Sequence, residues 1–193
     1  MAAAETVPTL VVVSGPPGSG KTTLARALGR SIGCPAICRD DIKEGMAVAS
    51  SSFAPAPGDE LTTRTFPVFF EVIGLLLRAG VTTVAEAAFV DRVWRPRLEP
   101  LRDLASVRVV HCVASASVAA ARMRERSGRD ASRRHHPDVM PDDDTARAAR
   151  YEAFEPLRLD VPMIDVDTTN GYRPDLAAVT DFALGKSGAS PCR

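Results

Sequence analysis

Eight residues constrain this chain more than any others: Gly15-Pro16-Pro17-Gly18-Ser19-Gly20-Lys21-Thr22, placed directly after the apolar, β-branched run Thr9 to Val13. Helical spacing through Leu24, Leu28 and Ile32 begins where these glycines end, so the order is strand, glycine loop, helix. Glycine at 15, 18 and 20 lets backbone N–H groups close around phosphate oxygens at a helix N-terminus, whose dipole favours anions. In such a loop Lys21 reaches the β- and γ-phosphates of a nucleoside triphosphate, and the Thr22 hydroxyl ligates the Mg²⁺ that bridges the same oxygens. Nucleotide contacts are therefore expected from Gly15, Pro16, Pro17, Gly18, Ser19, Gly20, Lys21, Thr22 and Thr23. A chance glycine-rich turn would lack the strand before it and the helix after it.

The remaining pattern alternates in the same way. Pro35 to Cys38 reads as a second buried strand, and Arg39-Asp40-Asp41 follows, where the acids can cap a short helix over Ile42 to Val48. Ala49 to Asp59 reads as a Ser-, Pro- and Gly-rich loop, and Leu61 to Ala79 as an apolar helix stopped by Gly80. Val81 to Ala85, Val107 to Val113 and Val161 to Val166 complete the strands, with helices over Val118 to Arg126, Thr145 to Phe154 and Asp175 to Leu184. Continuous apolar strands alternating with helices predict an α/β fold: a five-stranded parallel sheet with helices on both faces. Between the fourth and fifth strands apolar periodicity gives way to Arg124, Arg126, Arg129, Arg133, Arg134, His135 and His136, a basic lid segment over roughly 121–144.

Length and composition suit one domain over 1–193, since 193 residues at 45% hydrophobic can bury a sizeable core. With 24 basic and 24 acidic residues, overall charge supplies no attraction to a nucleic-acid backbone or an anionic membrane. No apolar run approaches the roughly 18 residues that span a bilayer, and the chain reads as cytoplasmic. Cys34, Cys38, Cys112 and Cys192 have no paired metal spacing and read as reduced thiols. His135 and His136 lack a third ligand at metal spacing.

Several side chains are positioned for chemistry. Asp40 and Asp41 follow the second strand, on the sheet edge that carries the phosphate loop; one can accept the proton of an attacking hydroxyl while the other caps the helix. Glu86 ends the third strand, where an acid holds Mg²⁺ through water or orients the attacking group; its alternative is a surface acid at a strand end. Phe89, Arg92, Trp94 and Arg95 line an acceptor pocket, unless the two aromatic rings serve only packing. Arg64 is also expected on the acceptor side. Arg122, Arg124, Arg126 and Arg129 cannot all share one helical face, and Arg126 and Arg129 are the choices for guanidinium groups that meet the charge building on a transferred phosphoryl group.

These segments together resemble the small P-loop kinases grouped with polynucleotide 5′-kinase, zeta-type toxins and chloramphenicol phosphotransferase, over most of the chain. Arg39-Asp40-Asp41-Ile42-Lys43 is similar to the Arg-Asp-Asp segment of the polynucleotide kinases, which implies that Asp40 is the catalytic base and that Lys43 stands at the acceptor in place of an Arg. Val84-Ala85-Glu86-Ala87-Ala88-Phe89 resembles the group's third strand with its acid, and Arg122 to Arg129 its arginine-bearing lid, which implies nucleotide contact by Arg122 and Arg126. Asp167-Thr168-Thr169 resembles the loop beside the nucleotide base, which brings in Thr168 and Thr169.

The function expected is transfer of the γ-phosphate of ATP or GTP, with Mg²⁺, to a hydroxyl of a small molecule. The resemblance extends this to an antibiotic or nucleoside-type natural product in self-resistance. A polynucleotide 5′-hydroxyl kinase or a zeta-type toxin kinase is the alternative, weakened by the absence of a phosphatase domain and of a basic strand-binding track. A GTPase switch would need Asn-Lys-x-Asp and Asp-x-x-Gly, and neither string occurs. No membrane partner is expected, and monomer and homodimer both remain open.

Overall fold

A computed structural model describes residues 7–50, 59–129, 149 and 151–186, with positions 126–129 described through their backbone alone. Thr9–Ser14 forms β1, and because it pairs on both sides its apolar residues are covered on both faces: Leu10, Val11, Val12 and Val13 are wholly buried. Around it lie β2 (Ala36–Cys38), β3 (Thr83–Glu86), β4 (Ser106–Val113) and β5 (Met163–Asp167), all parallel, in the order β2-β3-β1-β4-β5. The expected five-stranded parallel sheet is therefore present.

Helices cover each face. On one, α3 (Glu60–Arg78) and α4 (Asp91–Leu98) bring Phe69, Ile73, Trp94 and Leu98 against Leu10, Val12, Ala85 and Val109. On the other, α1 (Lys21–Ile32) and α6 (Leu176–Ala183) bring Leu24, Leu28, Val179 and Ala183 against Val11, Val13, Val84 and Val110. Each such fully buried aliphatic or aromatic side chain contributes about 1.5–3 kcal/mol relative to exposure. No helix among the described residues is long and apolar enough to cross a membrane.

Register decides what meets at the functional edge. Val13 lies opposite Glu86, and Cys38 lies on the other side of Glu86. The carboxyl ends of β1, β2 and β3 therefore deliver the glycine loop, the Arg39-Asp40-Asp41 segment and Glu86 to one crevice.

Two local expectations change. Arg39–Val48 is helix α2 from its first residue, and Cys38 at its N-cap makes no side-chain cap bond. Asp40 and Asp41 thus occupy the first turn, where they complement the helix dipole, and neither is the cap. Helix α4 and the 3₁₀ turn Glu99–Asp103 stand where no helix was read, before β4. After β4, Ala116–Arg129 forms α5. Residues 130–148, with His135, His136 and most of the basic segment, and Cys192 lie outside the described residues, as does most of the 49–59 loop.

Candidate active site

The glycine loop is shaped as a cradle. Gly18 takes φ 79° and passes so close to α5 that a Cβ there would stand 2.5 Å from the Ala119 carbonyl oxygen. Helix α1 begins after Gly20 with no side-chain cap, the arrangement in which a helix N-terminus can receive an anion. Ser19 is wholly buried, and its hydroxyl has no hydrogen-bond partner among the described residues. A Cβ on Gly15 would come within 2.6 Å of that Ser19 Oγ, so the hydroxyl lies inside the loop. An unpartnered buried hydroxyl costs about 1–3 kcal/mol, and an anion in the cradle would relieve it. Lys21 folds across the loop, its Nζ donating to the Pro16 carbonyl at 3.4 Å and standing 4.0 Å from Glu86 Oε1.

Glu86 is only 2% exposed, which excludes the surface-acid alternative. Burial pushes its carboxyl above the usual carboxylate range; the Lys21 ammonium opposes this, the Asp40 charge adds to it, and hydrogen bonds from Thr22 and Cys38 pull back down. Cys38 is itself buried, and burial with the charges of Glu86 and Asp41 pushes its thiol up to about 12. The protonated thiol can therefore donate to Glu86 throughout the neutral range. Lys21, Thr22 and Cys38 thus meet the Glu86 carboxyl, and the Asp40 charge acts on it.

Asp41 is engaged elsewhere: the Arg26 guanidinium donates to both of its carboxylate oxygens at 2.8 and 2.9 Å. Among the described residues Asp40 has a single looser ion pair, to Arg39 Nη1 at 3.4 Å, and its side chain is half exposed. Arg26 and Cys38 were not singled out in the sequence. Arg26 stands four residues after Thr22, on the same helical face, and that spacing was the available signal.

Other expected site residues fall differently. Lys43 was expected at the acceptor; instead its Nζ is buried, donating to Asp59 Oδ2 at 2.8 Å and Thr62 Oγ1 at 2.7 Å, so its charge is already matched inside the protein. Phe89 was expected to line a pocket; its ring is wholly buried in the core, 4.7 Å from Trp94 and 6.1 Å from Phe69 between centroids. Packing thus replaces the pocket-lining role for both aromatic rings. Arg64 and Arg92 are exposed, paired with Glu60 at 3.4 Å and Glu155 at 3.8 Å. Thr168 is buried and its hydroxyl donates to the Ser19 carbonyl at 2.7 Å, so the side chain braces the loop rather than facing a base. Thr169 accepts from the Ser115 N–H at 3.1 Å. Arg122 donates to Thr168 Oγ1 at 3.1 Å and to the Gly18 carbonyl at 3.4 Å. The side chains of Arg126 and Arg129 lie outside the described residues.

The order of the parallel strands, the phosphate cradle at the end of β1 and the acids at the ends of β2 and β3 define a P-loop kinase fold. The chain belongs to the AAA domain family, whose model matches residues 10–150. Among solved structures it is similar to a kinase candidate from Chloroflexus aurantiacus, at 24% identity and TM-score 0.80, over 95% of this chain and 100% of that one. It is also similar to shikimate kinase from Acinetobacter baumannii, at 17% identity and TM-score 0.58, over 96% and 97% of the two chains. The tunicamycin resistance protein of Deinococcus radiodurans aligns at 16% identity and TM-score 0.52, over 96% and 98%. Nothing among the curated proteins matches the sequence.

Proposed function

We propose that this chain is a kinase that moves the γ-phosphate of ATP or GTP to a hydroxyl group of a small molecule. The observation that carries the reading is the convergence of Lys21, Thr22, Asp40 and buried Glu86 beside an uncapped helix N-terminus. The cradle and the unpartnered Ser19 hydroxyl fit a triphosphate. Thr22, and Glu86 through water, would hold Mg²⁺. Among the described residues no cluster of three or more His, Cys, Asp or Glu could hold a metal ion, so the phosphates would complete its shell. A Mg²⁺ held there would supply positive charge to the phosphate oxygens.

The protein's own residues divide the remaining work. Lys21 would leave the Pro16 carbonyl for the β- and γ-phosphates, and Asp40 would accept the proton of the attacking hydroxyl. Arg126 and Arg129 would meet charge that develops on the transferred group. The likeness to shikimate kinase and to a tunicamycin resistance protein supports a small acceptor, including an antibiotic or nucleoside-type product in self-resistance. A polynucleotide 5′-hydroxyl or zeta-type acceptor is the second reading, favoured by the Arg39-Asp40-Asp41 segment.

The test is transfer of labelled γ-phosphate from ATP and from GTP, with Mg²⁺, to pooled small hydroxyl compounds and to 5′-hydroxyl oligonucleotides, with products read by mass spectrometry. Label on a small acceptor supports the first reading and label on the oligonucleotide the second. Nucleotide binding with no acceptor-dependent turnover in any pool would leave only a nucleotide-binding module.

A further inference from the structure

The Ser19–Gly20 peptide carries an N–H that faces the phosphate site only if its carbonyl faces away, because the two bonds of a planar trans peptide are antiparallel. Nothing intrinsic to the sequence holds that orientation. Gly20 sits at φ 78° and, lacking a Cβ, tolerates the flipped arrangement almost equally well. The carbonyl is held from outside the loop: Thr168, directly after β5, donates its hydroxyl proton to Ser19 O at 2.7 Å. Its other carbonyl neighbour, Val113 O, is further away at 3.2 Å.

The same hydroxyl oxygen accepts from Arg122 Nη1 at 3.1 Å, and Arg122 Nη2 donates to the Thr168 carbonyl at 2.5 Å. A guanidinium donating to a hydroxyl polarises it and strengthens the bond it gives onward. The chain of donation therefore runs from α5, through Thr168, to the back of the phosphate loop. Thr168 is 3% exposed, so water competes poorly for either bond.

From this geometry we propose that Thr168 is a positioning residue for the phosphate loop: its hydroxyl, polarised by Arg122, fixes the Ser19–Gly20 peptide so that the Gly20 N–H points at the phosphates. The loop after β5 and helix α5 are thereby coupled to the phosphate grip through one side chain. This inference rests on the nucleotide-binding part of the reading above. It concerns the protein's hold on phosphate groups and is independent of the acceptor and of the base.

The test uses the full chain and two probes, Mg²⁺ with ATP and Mg²⁺ with inorganic tripolyphosphate, which has no base. Affinities are measured by calorimetry for wild type, Thr168→Val, Thr168→Ser and Arg122→Gln, beside thermal melts. Thr168→Val should weaken both probes by about tenfold, the equivalent of about 1.4 kcal/mol, within the range of one buried hydrogen bond. Thr168→Ser, which keeps the hydroxyl, should stay within about twofold of wild type, and Arg122→Gln should weaken both probes by about threefold. The Gly20 amide resonance of wild type should move on adding tripolyphosphate, and in Thr168→Val it should move less. Wild-type affinity in Thr168→Val overturns the inference. So does equal weakening in Thr168→Ser, which would assign the effect to packing. If Thr168→Val fails to fold, Arg122→Gln at wild-type affinity overturns it, whereas weakening toward both probes with an intact Thr168→Ser supports it. If wild type itself binds neither probe, the kinase reading falls together with the inference.

Discussion

Arg26 grips Asp41 through both carboxylate oxygens, at 2.8 and 2.9 Å, and so joins the second turn of α1 to the first turn of α2. Both side chains are about half exposed, at 53% and 47%, and such a pair contributes about 0–1 kcal/mol to stability. Its consequence is orientation. With Asp41 turned to α1, Asp40 is the carboxylate whose charge acts on Glu86, and the choice that sequence position alone left open becomes a difference between two environments.

Asp40→Asn is therefore expected to lower kcat by about 10²- to 10⁴-fold, the range for losing a general base, with little change in nucleotide affinity. Asp41→Asn should lower it by no more than about fivefold, the equivalent of about 1 kcal/mol. Steady-state kinetics with saturating nucleotide separate the two. A larger loss in Asp41→Asn would transfer the base to Asp41 and make Arg26 its partner in the reaction.

Lys21→Ala and Thr22→Ala should each abolish detectable transfer while leaving the melting temperature near that of wild type. Neither side chain belongs to the two apolar clusters that cover the sheet. Their partners are the Pro16 carbonyl and Glu86, at the loop's mouth. Circular dichroism melts and a transfer assay at saturating Mg²⁺ give both readouts, and full activity in either variant removes the phosphate-loop assignment.

Most of the fold was legible because the central strands are apolar runs followed by turn residues or helix starts. Helix α4 was not. Val90, Trp94 and Leu98 recur at helical spacing, but Pro96 and three arginines interrupt the pattern, and a proline within a periodic run argues against a helix. The phosphate loop was legible because eight consecutive residues carry it. The helical spacing of Arg26 from Thr22 placed it near the site, but its partner Asp41 and the partners of Cys38 and Thr168 lie 15, 48 and 149 residues away, and local patterning holds no record of such pairings. Lys43 misled for the same reason: Asp59, its buried partner, lies 16 residues further along the chain.

That buried pair sets a stability prediction. Asp59 also caps α3 by accepting from the Thr62 N–H at 2.7 Å. Asp59→Asn keeps a capping oxygen and removes only the charge, leaving Lys43 buried and unmatched. A loss of about 3–5 kcal/mol is expected, or roughly 6–20 °C in Tm for a chain of this size. Lys43→Met/Asp59→Asn should lose less than the two single losses added, since neither charge is then stranded. Burial pushes the Asp59 carboxyl up, but bonds from Lys43 and Thr62 outweigh it and hold the carboxyl below the ordinary value of 3.8. Its stabilisation is thus complete above about pH 4 and lost as pH falls through the lower folded value. Wild type should lose stability more steeply than Asp59→Asn below that pH, measured by urea unfolding, and parallel curves would show that the pair is not coupled to folding.

Arg122 meets the Gly18 carbonyl at 3.4 Å, so the face of α5 at position 122 looks onto the phosphate loop. Positions 126 and 129 follow at i+4 and i+7 on that face, whereas position 124 falls on the opposite one. A guanidinium that meets charge only as it develops accelerates transfer without tightening the ground state. Where such arginines act, their loss costs about 10³-fold or more in kcat. At least one of Arg126→Ala and Arg129→Ala is therefore expected to lose about 10³-fold in kcat, with nucleotide Kd changed by no more than about fivefold. Arg124→Ala should stay within about twofold in both quantities, because position 124 faces away from the phosphate loop. Pre-steady-state transfer and equilibrium binding on the three variants give the comparison. If Arg126→Ala and Arg129→Ala weaken binding and kcat in equal proportion, those arginines hold ground-state phosphates. If neither quantity moves, Lys21 and Mg²⁺ carry the developing charge without them.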